Sequence, residues 1–177
     1  MTIDVIIAGA GVIGLACGYK LAKKGYTVAI VEKEVRIGQG TSSRNSQVIH
    51  AGMYYPTGSL KARLCVAGNQ SLKSYCLKNS VTVLNTGKFI VATNAAEEAE
   101  LLKILTRGKE NGVRHLQMVT AAELANAQPG VRATAAIWSP ETAVIDSHEF
   151  MESLCRNFEN HGGIIAFGNE IRGIEVE

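Results

Sequence analysis

Residues 5–32 read VIIAGAGVIGLACGYKLAKKGYTVAIVE, with Gly9, Gly11 and Gly14 in the spacing G-x-G-x-x-G. Before the glycines, Ile3 to Ala8 is continuously apolar after Asp4 and too short for a helix, so it is expected to be a buried parallel strand. Gly9 permits the tight turn that follows. Gly11 lets a pyrophosphate come close to a backbone without a Cβ, and Gly14 lets the next helix pack tightly on the strand. That helix, about Val12 to Lys24, carries Ile13, Ala16, Cys17 and Leu21 at the period of one buried face. The free N–H groups of its first turn, starting at Val12, give the chain end of a helix dipole to a phosphate. Gly25 ends the helix and Thr27 to Val31 is the second strand. Glu32 closes the unit where a carboxylate accepts hydrogen bonds from ribose hydroxyls and repels a 2′-phosphate, which disfavours NADP. Glycines alone would also fit an ordinary turn. Strand, glycines, helix, second strand and acid in register point to a dinucleotide-binding βαβ unit.

The rest of the composition sets limits. The chain has 177 residues, 46% hydrophobic and 19% charged, with a net charge of +2. These are values of a globular protein, and nothing in them asks for nucleic acid. Cys17, Cys65, Cys76 and Cys155 lie far apart with no zinc or C-x-x-C spacing, and are expected to be small buried hydrophobes in a reducing compartment. No basic leader precedes the first apolar run, and glycines interrupt it. Neither a signal peptide nor a membrane span is expected, and a cytoplasmic protein is.

Along the chain, Ser59 is expected to cap a helix to about Lys78, with Leu60, Leu64, Cys65, Leu72 and Cys76 on its buried face and Lys61, Arg63 and Lys73 in solvent. Val81 to Leu84 and Lys88 to Thr93 read as strands around an Asn85-Thr86-Gly87 turn. Asn94 caps a third helix that Gly112 stops, and Thr120 with Glu123 forms a capping box. Ala135 to Trp138 and Ala143 to Ile145 read as strands joined through Ser139-Pro140-Glu141. Asp146 caps a helix bearing Phe150, Met151, Leu154, Cys155 and Phe158 on one side. The third strand of the first sheet is expected at Ile164 to Phe167 or at Ile171 to Val176. The expected organisation is a nucleotide domain in two segments, 1–80 and 146–177, with an inserted α+β region at 81–145.

Between Glu32 and the first expected insertion lies GQGTSSRNS, Gly38 to Ser46, which runs on through Val48 and Ile49 to His50. Hydroxyls and amides placed directly after a strand ending in Glu32 suit the far phosphate and ribityl chain of a flavin dinucleotide. An NAD enzyme has no need of so long a polar lead-in.

The stretch TSSRNSQVIHAGMYYPTGSLKARLCVAG, Thr41 to Gly68, is similar to the N-terminal half of L-2-hydroxyglutarate dehydrogenases and oxidases. These are FAD enzymes of the D-amino-acid oxidase superfamily, together with the FAD-dependent glycerol-3-phosphate dehydrogenases. SPETAVIDSH, Ser139 to His148, also resembles that family.

The resemblance implies an α/β, Rossmann-like FAD-binding domain of the doubly wound, glutathione-reductase-like kind. An α+β substrate domain is inserted in it, and the whole is cut short at the C-terminus. FAD is the implied cofactor, with Gly9, Gly11, Val12 and Gly14 at the pyrophosphate and Glu32 on the adenosine ribose. Thr41, Ser42, Ser43, Asn45 and Ser46 would lie along the pyrophosphate, ribityl chain and flavin, with backbone contacts to adenine at Ile171. Gly18 stands where many relatives have alanine. That should cost at most about 1 kcal/mol of helix stability and leave the site intact.

The implied reaction oxidises a 2-hydroxy acid, with L-2-hydroxyglutarate the expected substrate. An amino acid or glycerol 3-phosphate is the alternative, as is a dinucleotide-binding fragment without chemistry. His50 would face the flavin as the base that takes the hydroxyl proton, as a hydrogen-bonding anchor, or as a covalent attachment point. Arg44 would pair with a substrate carboxylate or hold its own loop. The resemblance leaves the acceptor open between oxygen, quinone and another carrier, and allows peripheral membrane contact. The family's chains run well beyond Glu177. For residues 1–177 alone, loose FAD binding, weak or no turnover and an exposed apolar face are therefore expected.

Overall fold

The computed structural model describes residues 2–175. In chain order the elements are β1 (Val5–Ala8), α1 (Val12–Ala22), β2 (Val28–Glu32), a single 3-10 turn (Thr41–Ser43), β3 (Val48–Ile49), α2 (Leu60–Lys78), β4 (Val83–Leu84), β5 (Lys88–Ala92), α3 (Ala95–Glu110), β6 (Gln117–Thr120), α4 (Ala121–Ala127), β7 (Ala135–Ser139), β8 (Ala143–Ile145), α5 (Ser147–Asn160) and β9 (Ile164–Phe167). They form two compact units. One comprises the residues up to Gln47 and those from Asp146 onward, and the other runs from Val48 to Ile145. Residues 48–80, expected in the nucleotide domain, therefore belong to the second unit.

The first unit is a parallel sheet in the order β1-β2-β9. Val5 pairs with Val28 and Ile7 with Ile30, while Ala29 pairs with Ile164 and Glu32 with Phe167. Paired residues point to the same side of a sheet. Val28 and Ile30 are therefore on the side that α1 and α5 cover, both fully buried beside Leu15 and Phe158. The opposite side, with Ile6, Ala8, Ala29, Val31 and Ile164, is open, leaving Ile6 62% and Ile164 42% exposed. The expectation of a fully buried β1 is corrected here: the strand is in place, but nothing among the described residues covers its second face.

Helix α1 buries Leu15, Gly18 and Ala22, while Ile13 is 74% exposed and Cys17 is exposed. The expected face is thus rotated. The helix is apolar on nearly every side, so periodicity could not choose between faces. The choice is made at Gly18, where an added Cβ would come within 3.0 Å of Ile30 Cδ1 and 3.2 Å of the Phe158 ring. Gly18 is a point of close helix approach rather than a neutral departure. In α5, the Asp146 carboxylate accepts from the N–H groups of His148 and Glu149, and Met151, Leu154 and Phe158 are buried as expected. The third strand is β9. Residues 171–175 are not a strand, and Val176, the end of the other expected strand, lies outside the described residues.

The second unit holds two antiparallel sheets, β3-β8-β4 and β5-β7-β6. The consecutive strands β4 and β5 pair with partners in different sheets, and so do β7 and β8. The turn signals at 85–87 and 139–141 mark changes of sheet rather than hairpins. At the first, Gly87 sits at φ +64° under the indole of Trp138, where any Cβ would collide with the ring, and its N–H donates to the Thr142 carbonyl at 3.0 Å. A core of Ala51, Met53, Ala92, Leu101, Val113, Leu116 and Ile137 lies in this unit.

Helix α2 starts at Ser59, whose hydroxyl accepts from the Ala62 N–H, and buries Ala62, Asn69 and Cys76. Leu60 and Leu64, expected inside, are each about 60% exposed. Lys73, expected in solvent, is half-buried, and its ammonium donates to the Glu141 carbonyl at 2.8 Å. The cysteines differ among themselves: Cys76 is buried, Cys65 and Cys155 are half-buried and Cys17 is exposed.

Candidate functional site

The first unit carries a groove of about 770 Å³ at the C-terminal ends of β1 and β2. Open parallel sheets bind ligands at this end, where the strands give way to loops and a helix begins. Gly9, at φ +94°, turns the chain out of β1, and its N–H donates to the Val31 carbonyl at 2.8 Å. Gly11 is the N-cap of α1 and offers no side chain to it. The first-turn amide of Val12 instead donates to the Ser42 hydroxyl at 3.0 Å, so the 41–43 turn closes over the helix start. A Cβ on Gly11 would reach to 3.0 Å from that same hydroxyl, on the groove side.

Gly14 has a different position from its two partners in the motif. A Cβ there would run into the carbonyl oxygen of Gly9, and Ile7 Cγ2 lies at 3.4 Å. Its bare Cα lets α1 rest on the turn, and it does not line the groove.

Glu32, on the last residue of β2, is buried at the groove wall. One carboxylate oxygen accepts from the Ala10 N–H at 2.6 Å and the other from the Glu34 N–H at 2.9 Å. The carboxylate is fixed by backbone, yet each oxygen keeps a lone pair for another donor. The facing wall is Asn169 to Ile171, tied in place by the Asn169 N–H on the Glu32 carbonyl at 3.0 Å.

The structure brings Gly9, Gly11, Glu32, Thr41, Ser42, Arg44 and Ile171 together along this groove. The other expected residues do not line it. Val12 stands behind it with its amide taken by Ser42. Ser43 faces a neighbouring pocket of about 240 Å³ with Arg36 and His148. Asn45 braces the loop, its amide donating to the Ser42 carbonyl at 2.8 Å and its oxygen accepting from the Gln47 N–H. Ser46 is exposed. Gln39 and Asn169 line the groove and were missed. Asn169 follows Gly168 at φ +69°, and that glycine directly after a short apolar run was the available signal for a turn back to the strand ends.

His50 belongs to the second unit, at the end of β3. Its ring is exposed, and its carbonyl is held by the amide of the buried Asn69 at 3.1 Å and the Cys65 thiol at 3.5 Å. Asn69 also donates to the Glu141 carbonyl at 2.9 Å. Asn111 does the same for the following loop, reaching the carbonyls of Gly52 at 3.0 Å and Tyr55 at 2.9 Å. Partial burial, then the positive charges of Lys88 and Lys61, hold the His50 imidazole below its ordinary pKa. Tyr54 and Tyr55 stack under the two lysines. Among the described residues no cluster of three histidine, cysteine or acidic side chains could hold a metal, and no helix is long and apolar enough to cross a membrane.

The groove suits a dinucleotide on its own features. It has two glycines without side chains, a helix start left uncapped by its own N-cap residue, hydroxyls at its rim and a buried, pre-oriented carboxylate. A family model described as FAD dependent oxidoreductase matches residues 4–177. The chain belongs to this family.

Within the FAD dependent oxidoreductases, it is 41% identical over 152 residues to the mitochondrial L-2-hydroxyglutarate dehydrogenase of Arabidopsis thaliana, covering 86% of this chain and 32% of that protein. To the L-2-hydroxyglutarate dehydrogenase of Indibacter alkaliphilus it is 34% identical, covering 100% of this chain and 45% of the relative. The mitochondrial human enzyme of that name is 33% identical over 98% of this chain and 38% of its own length. Among solved structures, the FAD-bound L-alpha-glycerophosphate oxidase of Mycoplasma pneumoniae matches with a TM-score of 0.91 and 28% identity, over 97% of this chain and 46% of that one. Glycine oxidase from Geobacillus kaustophilus shares the fold with a TM-score of 0.84. The α/β FAD-binding fold that the resemblance implied is the fold of this chain, and FAD is the family's cofactor. The chain spans less than half the length of each of these relatives.

Proposed function

We propose that this chain forms the cofactor-binding and proton-accepting part of an oxidoreductase that converts an L-2-hydroxy acid of the 2-hydroxyglutarate class to the 2-oxo acid. The observation that carries the reading is the likeness to L-2-hydroxyglutarate dehydrogenases, which in the Indibacter alkaliphilus relative runs over 100% of the chain and so takes in both the Gly9 to Glu32 groove and the His50 loop.

In this reading Glu32, already oriented by two backbone N–H groups, accepts from the ribose hydroxyls of the adenosine. Gly9 and Gly11 admit the pyrophosphate at the start of α1, with the Thr41 and Ser42 hydroxyls as donors and the backbone near Ile171 beside the adenine. Bound FAD supplies a two-electron acceptor for a hydride. His50 takes the proton of the substrate hydroxyl as the C2–H bond breaks and its electron pair leaves as hydride, so C2 becomes a carbonyl. Its lowered pKa, set by partial burial and then by Lys88 and Lys61, favours the neutral imidazole that the task requires. The acceptor that takes the electrons onward is oxygen, a quinone or another carrier.

The likeness to L-alpha-glycerophosphate oxidase, the strongest of the structural matches given above, supports a second reading in which the substrate is glycerol 3-phosphate. Both begin with FAD binding. The test is to titrate the protein with FAD, following flavin fluorescence, and then to add each substrate anaerobically to the complex. The expected result is weak but saturable binding that Gly11→Val and Glu32→Arg abolish, followed by slow, partial bleaching of the flavin band with L-2-hydroxyglutarate. Bleaching with glycerol 3-phosphate alone would select the second reading, and no saturable FAD binding would refute both.

A further inference from the structure

Two lysines from different elements of the second unit are held over the tyrosines of the loop that follows His50, and both charges act on its imidazole. Lys61 lies in the first turn of α2 and Lys88 at the start of β5. Each ammonium rests over a tyrosine ring of the loop that follows His50, Lys61 at 4.6 Å from the Tyr55 centroid and Lys88 at 4.7 Å from that of Tyr54. The aromatic faces hold the amines in place without neutralising them. Neither amine has a carboxylate among the described ion pairs, in contrast to Lys73, which meets Glu141, and Lys103, which meets Glu100. The loop carrying both tyrosines is itself braced, with Asn111 on the carbonyls of Gly52 and Tyr55 and the Arg107 guanidinium on the carbonyl of Tyr54 at 3.5 Å.

Uncompensated charges on a braced platform around an imidazole imply an anionic ligand, and two amines imply two negative groups. We propose that Lys61 and Lys88 form a carboxylate-binding pair beside His50 that selects dicarboxylate over monocarboxylate hydroxy acids. This rests on the reading of His50 as the base for a 2-hydroxy acid, and it assigns to lysines of the second unit the charge recognition that the sequence suggested for Arg44.

The pair also ties binding to basicity. The charged groups that act on the His50 imidazole are Lys88 from β5 and Lys61 from α2, and the Cys65 thiol of α2 meets its backbone carbonyl. Both lysines disfavour the imidazolium. A dianion seated on them cancels that repulsion, so His50 becomes a stronger proton acceptor when a ligand with the right charge is present.

The test needs no turnover. The His50 ring resonance, assigned with His50→Gln, is followed by NMR against pH in the 177-residue protein, alone and with glutarate or butyrate as probes. Glutarate should move the His50 midpoint to higher pH, and butyrate at equal concentration should leave it in place. Lys61→Gln and Lys88→Gln should each raise the midpoint of the free protein and weaken glutarate by about tenfold, the loss of one charge-assisted hydrogen bond. Lys88→Arg keeps the charge should folding tolerate no neutral residue there, and should retain binding. Glutarate that binds Lys61→Gln/Lys88→Gln as tightly as the parent, or that leaves His50 unmoved, overturns the pair. FAD titration reads separately: FAD binding without a glutarate response removes the lysine pair alone, while a glutarate response without FAD binding supports the pair and removes the oxidoreductase reading.

Discussion

Replacing Gly14 by alanine sets two opposed effects against each other. In a helix interior alanine is favoured over glycine by about 1 kcal/mol. At this position the new methyl group would run into the Gly9 carbonyl oxygen, with Ile7 Cγ2 at 3.4 Å behind it. The obstacle is backbone, so no rotamer change relieves it and α1 must lift off the turn. Overpacking of that kind costs about 1–3 kcal/mol, and more where the backbone itself has to shift. We expect a net loss of about 2 kcal/mol, or a fall in melting temperature of roughly 4–8 °C for a chain of this size.

Gly11→Ala and Gly18→Ala are the controls. At Gly11 the methyl meets only the Ser42 hydroxyl at 3.0 Å, and at Gly18 it meets Ile30 Cδ1 at 3.0 Å and the Phe158 ring at 3.2 Å, side-chain rather than backbone atoms, though Ile30 and Phe158 are fully buried. Gly11→Ala should stay within about 1 kcal/mol of the parent and Gly18→Ala should fall between it and Gly14→Ala, while Gly11→Ala should weaken FAD without a matching loss of stability. Urea unfolding followed by circular dichroism gives the stabilities, and flavin fluorescence gives the affinities. If Gly14→Ala proved as stable as the parent, or if Gly11→Ala were the more destabilising, the division of the motif into a groove glycine and a packing glycine would be wrong.

Two further outcomes are expected. Asn111→Ala removes two hydrogen bonds and leaves the Gly52 and Tyr55 carbonyls without that donor. The loss should be about 2 kcal/mol, read by urea unfolding through the fluorescence of Trp138 in the same unit, and an unchanged midpoint would deny the brace. Glu97 and Glu123 are held below the ordinary carboxylate range by hydrogen bonds from the backbone and then the hydroxyls of Thr93 and Thr120. A depressed folded-state pKa means stability fully present above the ordinary carboxylate value and lost as pH falls through the lowered one. Glu123→Gln should therefore flatten the acid limb of stability against pH, and a limb of unchanged slope would contradict the assignment.

The parts of the structure that the sequence made legible are those whose chemistry is local. Gly9 to Glu32 announces itself because turn, helix start and acid lie within one short segment. Ser59, Asn94, Thr120 and Asp146 are each found as the caps they were expected to be, because a cap bonds the amides two or three residues on. What was not legible depends on partners far along the chain. β4 and β5 look like a hairpin until β8 and β7 claim them, some fifty residues later. The buried faces of α1 and α2 were misjudged because both helices carry apolar residues on more than one side, and only Gly18 against Phe158, or Asn69 against Glu141, settles the orientation. Asn45 looked like a cofactor ligand because the polar loop around it reads as one patch, whereas its bonds close the loop on itself.

The uncovered side of the β1-β2-β9 sheet governs how this polypeptide behaves in a test tube. Ile6 on β1 and Ile164 on β9 stand on the same open face, either side of Ala29 on β2, as a row of hydrocarbon across the sheet. Salts excluded from protein surfaces, such as ammonium sulfate, strengthen contacts between such strips, whereas mild chaotropes weaken them. Handling of the isolated chain thus turns on two isoleucines. Exchanging them for threonine, which keeps the β-branched shape a strand favours, should widen the range of sulfate in which it stays dispersed while leaving the groove on the strand ends untouched.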